Sequence, residues 1–310
     1  MRLLKAEAND KFSLVEFVDK DVPSYAILSH TWGKDAEEVT FQDLVSGSGE
    51  DKPGYGKILF CGKQAVEDGL QFFWVDTCCI DKSSSAELSE AINSMFRWYR
   101  NAARCYVYLS DVSIASSTGN GRPSQQMSTR TIQHSRWFTR SWTLQELVAP
   151  MLVEFFSVEG ERLGDKTALG QAIREITGIS IQALQGWPLS EFNVDERLSW
   201  ADGRMAKREE DTAYSLLGIF DIHMPLLYGE GQKKAFARLF KEIEQSIIDE
   251  QSTLTPKRSM KTGCFSRYNR SPNIYNDFQQ FNALGGIQNI STGNGNQFPG
   301  ASLTGPVYLG

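Results

Sequence analysis

The 310-residue chain lacks the features that mark membrane, secreted and zinc-binding proteins. No run approaches the roughly 18 to 20 apolar residues that a membrane-spanning helix needs, and charges interrupt the N-terminus too early for a secretory signal. Its five cysteines are an odd number without Cys-x-x-Cys spacing, which favours reduced thiols over a disulfide framework or a zinc site. We therefore expect a cytoplasmic protein with no stable membrane span, no metal and no cofactor.

The sequence also lacks the signatures of several common enzymes and of a nucleic-acid binder. It has no Gly-x-Ser-x-Gly elbow of a Ser-His-Asp hydrolase, and the glycine-rich stretch 47–56 lacks the Gly-Lys-Ser/Thr ending of a P-loop. A thiol nucleophile at Cys78 or Cys79 would need a base such as His30, and nothing in the spacing indicates one. A net charge of -6 disfavours polyanion binding, so nucleic acid is not an expected partner.

Charge is missing altogether from the end of the chain. The 33 residues from Phe278 onward contain no Asp, Glu, Lys or Arg, whereas the residues before them are ordinarily charged. One compact fold would rarely leave such a tail. Residues 251–276 are polar and basic and contain two prolines, the composition of a linker. The predicted organisation is a globular domain over residues 1–250, a linker over 251–276 and a separate segment over 277–310.

Residues 24–150 alternate short apolar runs with longer amphipathic ones, which predicts strands alternating with helices. This order predicts an α/β fold with a mostly parallel sheet and flanking helices. A ligand site would then lie beyond the carboxyl ends of the strands. The expected strands are 25–28, 72–75, 105–109 and 152–156, and the expected helices between them are 54–68, 87–101 and 137–148.

Two further stretches complete the predicted organisation. Residues 113–128 are rich in Ser, Gly and Gln and predict a mobile surface loop. Residues 166–249 predict several additional helices, which pack on the sheet or form a subdomain. The last of these is expected over 232–248 with one apolar face, formed by Ala235, Phe236, Leu239, Ile243 and Ile247.

Three segments carry a family resemblance. Residues 25–33 (YAILSHTWG), 73–82 (FWVDTCCIDK) and 136–147 (RWFTRSWTLQEL) resemble the three signature blocks of the fungal heterokaryon-incompatibility (HET) domain. The resemblance extends over roughly residues 1–250 and implies a role in fungal non-self recognition that ends in regulated cell death. Other stretches similar to the same family are 88–99, 106–111, 211–218 and 227–231.

HET domains have been compared with Toll/interleukin-1 receptor (TIR) domains, so the resemblance implies a TIR-like, flavodoxin-like core over about 20–160 and a helical extension over about 161–250. Many TIR domains carry a Trp-x-x-x-Glu motif whose glutamate acts in cleaving the nicotinamide-ribose bond of NAD, and Trp142 and Glu146 have that spacing. A carboxylate can stabilise the oxocarbenium-like ribose that such cleavage forms. Glu146 is therefore the candidate catalytic residue, with a solvated helix position as the alternative.

Further candidate substrate-binding residues follow the first two expected strands. Ser29, His30 and Trp32 come at the end of the first strand, where Trp32 could stack on a base or nicotinamide ring. Asp76 and Asp81 follow the second strand, where either could orient a ribose hydroxyl. The alternatives are a structural histidine, a packed tryptophan and an aspartate that caps the next helix. Trp142 completes this set.

The uncharged tail combines Asn, Gln and Gly with isolated large apolar residues and resembles the sigma-type amyloid signalling motif of fungal prion systems. Asn and Gln can form hydrogen-bonded ladders along a cross-β stack. The alternative is a disordered linker. The resemblance implies templating by a nucleotide-binding receptor with a matching motif. The residues expected to fill the amyloid core are Phe281, Ile287, Ile290, Phe298, Val307 and Tyr308.

These observations favour a cell-death effector whose HET domain hydrolyses NAD or a related nucleotide once tail assembly clusters it. A second hypothesis is a non-enzymatic module that recruits another protein or perturbs a membrane on clustering. A third hypothesis is that the tail is inert and that self-association is intrinsic to the HET domain. If Glu146, Asp76 and His30 lie close together in the fold, a catalytic site is plausible. If they do not, the spacing of Trp142 and Glu146 is a chance match.

Overall fold

The computed structural model describes residues 1–7, 11–114 and 132–254. Within them the chain forms a seven-stranded sheet with helices packed around it. The strands are β1 (Arg2–Ala6), β2 (Phe12–Glu16), β3 (Tyr25–His30), β4 (Phe72–Trp74), β5 (Arg104–Tyr108), β6 (Val153–Phe156) and β7 (Arg162–Asp165). Most of the expected surface loop 113–128, the linker after Leu254 and all the expected amyloid-core residues lie outside the described residues.

The centre of the sheet is parallel, which confirms the predicted α/β class. Strand β3 pairs in parallel with β4 and β5, and β5 pairs in parallel with β6. Taken in chain order, these four strands have the spatial order second, first, third, fourth, which is that of flavodoxin-like sheets. The topological switch point therefore lies beyond the carboxyl ends of β3 and β5, where such folds bind their ligands.

Antiparallel strands close both edges of the sheet, and the sequence patterns did not predict them. Strand β1 pairs with β4 and with β2, while β7 pairs with β6. The segment RLLKA of β1 has no β-branched residue, and RLGD of β7 contains Gly164, so local propensity is weak in both. Their pairing is decided by the neighbouring strands rather than by their own composition.

The described helices, numbered in chain order, cover the sheet and extend beyond it. The α3 helix follows the expected pattern, because Ala91, Ile92, Met95 and Tyr99 are buried on one face. Its first turn is capped by Ser84, whose hydroxyl accepts a hydrogen bond from the Glu87 amide. The helices are α1 (Phe41–Ser46), α2 (Tyr55–Glu67), α3 (Ser85–Asn101), α4 (Thr143–Val148), α5 (Gly170–Thr177), α6 (Ile181–Leu184), α7 (Val194–Ser199), α8 (Asp211–Tyr214) and α9 (Gln232–Leu254).

The helix expected over 137–148 is broken in two, which corrects the prediction. A 3-10 turn covers Arg136–Thr139, and the α-helix starts only at Thr143. Between them, Met205 donates its amide to the Thr139 carbonyl at 2.7 Å and accepts the Ser141 amide at 2.9 Å. A distant segment thus takes the backbone hydrogen bonds that a continuous helix would use.

The last helix is longer than expected and buries one fewer of the expected apolar residues. It continues to Leu254, past the predicted end at 248 and into the expected linker. Ala235, Phe236, Leu239 and Ile243 are buried as predicted, but Ile247 is 37% exposed and does not belong to the buried face. Within the described ranges we find no helix that is both long enough and apolar enough to cross a membrane.

Candidate functional site

A cavity of about 550 Å³ opens at the carboxyl ends of β3 and β4. Its walls come from the loops after these strands, from α3 and α4, and from the segment around α8. Ser29 lies behind the wall and is fully buried. The candidate residues that line this cavity are His30, Trp32, Asp76, Asp81, Trp142 and Glu146. The fold therefore brings together side chains that are up to 116 positions apart.

Glu146 is held by a buried chain of hydrogen bonds. Trp137, at the start of the 3-10 turn, donates its indole Nε1 to Ser29 Oγ at 2.8 Å. Ser29 Oγ in turn donates to Glu146 Oε2. Because the Trp137 and Ser29 side chains are both fully buried, they fix the position of the carboxyl group. Glu146 itself is only 7% exposed, so the solvated helix position considered as an alternative does not describe it.

Burial raises the pKa of Glu146 to about 8, although the hydrogen bond from Ser29 acts to lower it. The negative charge of Asp76 raises this pKa further, whereas the positive charges of Arg140 and Arg204 lower it. A carboxyl group with such a pKa is mostly protonated at pH 7. A cation beside it would favour the ionised form and lower the pKa.

Asp76 is another carboxyl group of the cavity, and its pKa is shifted in the opposite direction from that of Glu146. It accepts a hydrogen bond from Trp32 Nε1 at 2.8 Å, and its Oδ1 lies 3.0 Å from His30 Nε2. Burial would raise the pKa of Asp76, but the hydrogen bond with His30 and the charge of Lys82 outweigh it and lower the pKa to about 2. At neutral pH Asp76 is therefore ionised, whereas Glu146 in the same cavity is mostly protonated.

The loop after β3 is anchored so that it faces the cavity. Glu38 is buried, and its Oε1 accepts the Gly33 amide at 2.6 Å and the Lys57 ammonium at 2.5 Å. Lys57 also donates to the carbonyl of Thr31 at 3.3 Å. This ion pair and its hydrogen bonds hold the turn that carries Trp32. One face of the Trp32 ring is covered by Lys82 Nζ, 3.8 Å from the ring centroid.

The two aspartates that follow β4 have different surroundings. Asp81 accepts the Ser83 amide at 3.0 Å, which forms a turn just before α3, and it lines the edge of the cavity. Asp76 contacts His30 and Trp32 instead. Neither is the N-cap of α3, since that position is Ser84.

Several cavity residues were not singled out from the sequence. Tyr228 donates its hydroxyl to Asp211 Oδ1 at 2.9 Å, and the Arg208 guanidinium lies over the Tyr228 ring at 4.2 Å. Arg140 and Lys207 line the same cavity. Arg140, Asp211 and Tyr228 belong to stretches that resemble the family, which was the available signal, whereas no sequence pattern pointed to Lys207.

The thiols of the described residues do not form a nucleophilic site. Cys61, Cys78, Cys79 and Cys105 are buried and free. Burial raises the pKa of Cys78 well above its usual value, so its thiolate is disfavoured. His30, the base that a thiol would need, contacts Asp76 instead. In the same part of the chain no group of three or more His, Cys, Asp or Glu residues could hold a metal ion.

Residues 25–131, which form β3, β4, β5 and much of the cavity wall, match the family described as heterokaryon incompatibility protein (HET). The vegetative incompatibility protein HET-E-1 of Podospora anserina is 55% identical to this chain over 244 residues. The chain carries a HET domain. The aligned region is 78% of this chain and 18% of the relative, so the chain spans less than a fifth of the length of that protein.

A second match concerns the uncharged tail. Residues 278–310 match the family described as a sigma domain on NACHT-NTPases. The two matches confirm the resemblance of the globular region to HET proteins and of the tail to sigma segments. No solved structure matches the chain significantly. The likeness of the HET domain to TIR domains therefore stays a prediction.

Proposed function

We propose that this HET-domain chain is a fungal cell-death effector that acts in the cytoplasm and hydrolyses the nicotinamide-ribose bond of NAD or a related nucleotide. The observation that carries the proposal is the buried Glu146, held by Ser29 near the carboxyl end of β3. The match of the chain to an incompatibility family supports the cell-death role, as does its similarity to a relative named a vegetative incompatibility protein.

The chemistry that we propose uses Glu146 as a carboxylate. When the N-glycosidic bond breaks, nicotinamide leaves with the bonding electron pair and positive charge develops on the ribose. A desolvated carboxylate stabilises that charge more strongly than water does. Water then adds to the ribose and releases a proton, giving nicotinamide and ADP-ribose. The positive charge of the bound nicotinamide ring would itself favour ionisation of Glu146.

The remaining cavity residues suit a ribose and an aromatic base. Asp76 is ionised, and each of its oxygens has one partner, so each retains a lone pair that can accept a ribose hydroxyl. The aromatic side chains Trp32, Tyr99, Trp142 and Tyr228 supply apolar walls, as ligand cavities commonly have. This combination of walls and polar groups supports a nucleotide as the substrate class.

We further propose that activity requires clustering through the tail. The match of residues 278–310 to a sigma domain on NACHT-NTPases supports a NACHT receptor with a matching segment as the templating partner. Stacked tails would raise the local concentration of HET domains and bring them into contact with one another. Self-association would thus involve both the tail and the HET domain.

The clustering step is tested with the full chain fused to a chemically induced dimerisation module. We expect nicotinamide release to appear on seeding with tail-peptide fibrils or on adding the dimeriser. Deletion of residues 277–310 should abolish the response to seeds but leave the response to the dimeriser. Unchanged seeded activity after the deletion would make the tail inert, and toxicity without NAD loss under any assembly condition would favour the non-enzymatic hypothesis.

The activity should also depend on pH in a defined direction. Only ionised Glu146 stabilises the ribose cation, and its pKa is about 8. Because kcat/KM reports ionisation of the free enzyme, we expect it to rise about tenfold per pH unit below that value and to level off above it. The measurement is nicotinamide release by the clustered chain between about pH 5.5 and 9, roughly the window in which such a group titrates.

A change at Asp76 tests the origin of that profile. Asp76→Asn removes a negative charge that raises the pKa of Glu146, so the inflection in kcat/KM should move to lower pH. Asp21→Asn, at an exposed position, is the matched control and should leave the inflection in place. An identical inflection in the wild type and the Asp76 variant would assign the pH dependence to another group.

A further inference from the structure

Three cations from two distant parts of the chain lie along the same cavity. Arg140 is half-buried, while Lys207 and Arg208 are exposed. They are brought together by a short parallel bridge between Arg140 and Met205, which places the segment after Met205 next to Arg140. The positive side chains contrast with Glu146, which is buried in the same cavity.

The backbone at Arg140 is fixed, whereas its charged end has no ion-pair or hydrogen-bond partner among the described residues. The Arg140 carbonyl accepts hydrogen bonds from Arg204 Nη1 at 3.0 Å and from Thr143 Oγ1 at 2.8 Å. Within the described ranges no acidic side chain lies within ion-pair distance of the Arg140 guanidinium, and it donates no hydrogen bond there. A guanidinium that makes no ion pair with the described residues is available to bind an anion, and its planar fork fits phosphate oxygens in particular.

A smaller cavity of about 360 Å³ adjoins the first. Trp32, Asp35, Arg140 and Lys207 line both cavities, so the cations stand where the two meet. Lys207 is paired with Asp35, but both side chains are largely exposed, and such pairs exchange partners at little cost. An extended ligand with one end in each cavity would therefore pass its middle over Arg140 and Lys207.

We propose that Arg140, assisted by Lys207 and Arg208, is a diphosphate subsite that makes the HET-domain cavity selective for dinucleotides over nucleosides. The inference rests on the proposed function, which identifies the nicotinamide-ribose end of the ligand as the end that reacts. A pyridine dinucleotide has a cationic ring at one end and a diphosphate in the middle. These charges complement the buried carboxyl groups of the first cavity and the cations at its junction with the second.

Binding of inorganic pyrophosphate to the full chain, measured by calorimetry, tests the subsite without any reaction. We expect Arg140→Gln to weaken binding about tenfold or more and Arg140→Lys to weaken it less, because lysine keeps the charge but loses the fork. Arg136→Gln is the matched control, since Arg136 is exposed on the neighbouring turn and outside the cavity. Equal affinity for wild type and Arg140→Gln, or an equal loss in the Arg136 variant, would overturn the proposal.

Kinetics then separate this subsite from the proposed reaction. The clustered wild type should prefer NAD over nicotinamide riboside, which lacks the diphosphate, and Arg140→Gln should lower the ratio of the two kcat/KM values about tenfold. A change in the Glu146 pKa would affect both substrates and cancel in that ratio. Equal ratios in wild type and variant would refute the subsite. If neither substrate is cleaved but pyrophosphate binding depends on Arg140, the proposed reaction fails and the anion subsite stands.

Discussion

Glu146→Gln is expected to lower nicotinamide release from NAD by the clustered chain by about 10² to 10⁴-fold, the range typical for loss of a group that stabilises transition-state charge. Glutamine has nearly the same shape and can still accept the hydrogen bond from Ser29. It cannot carry the negative charge that stabilises a ribose cation. The loss should therefore appear mainly in kcat, with the fold and tail assembly unchanged.

The comparison needs a control that changes charge equally. Glu90→Gln removes a carboxylate from an exposed position on α3 and should leave release unchanged. Fibril formation and cell death should be scored for the same variants. Equal NAD loss by wild type and Glu146→Gln would remove Glu146 from the catalytic role. Cell death by both, with fibrils but without NAD loss, would support the non-enzymatic hypothesis.

The same substitution should stabilise the domain at high pH. The folded-state pKa of Glu146 is raised from 4.5 to about 8, so the folded chain binds this proton more tightly than the unfolded chain. Its contribution to stability is complete below the unfolded pKa, is lost as pH rises, and is gone above the folded pKa. Glutamine does not titrate. The unfolding free energy of Glu146→Gln relative to wild type should therefore increase by several kcal/mol between about pH 4.5 and 8, at roughly 1.4 kcal/mol per pH unit.

Denaturant unfolding of wild type and Glu146→Gln at several pH values measures this difference directly. Other titrating groups are shared by the two proteins and cancel. Asp76, which couples to Glu146, has a pKa of about 2 and stays ionised across this pH range. Glu90→Gln should show no such pH-dependent gain. A constant difference between wild type and Glu146→Gln across the range would mean that the carboxyl group titrates normally in the folded chain.

The two expected results share one physical cause. Burying a carboxyl group opposes its ionisation, which lowers the stability of the domain at high pH. The same burial makes the ionised group a strong partner for a cation that enters the cavity. A loss of stability that accompanies a gain in reactivity is characteristic of functional sites.

Much of the central fold could be predicted from the sequence because its signals are local. The apolar run of β3 and the helical spacing of Ile92, Met95 and Tyr99 each report burial of one segment. The strands β1 and β7 could not be predicted, because short segments without strong β-formers become strands only when a partner is present. The break before Thr143 was missed for a similar reason, since Met205 supplies the competing hydrogen bonds.

Of the candidate site, too, the sequence predicted the parts with local signals and missed the contacts between distant segments. The HET-like blocks were enough to select Glu146, Asp76, His30 and Trp32, because these residues follow expected strands or occur in a recognisable spacing. Nothing in the sequence pointed to Trp137 as the donor to Ser29. The hydrogen bond between them forms only when the segments that carry them are packed against each other.

By itself, the sequence determined the α/β class, the HET resemblance and the abrupt loss of charge after Asp277, because composition and periodicity are properties of contiguous residues. Only the tertiary structure decided that Glu146 is buried and hydrogen-bonded to Ser29, and that Arg140 and Lys207 meet at one cavity. The pKa of Glu146 and the charge of the cavity mouth depend on distances between residues that are remote in the chain. Those distances exist only in the folded molecule.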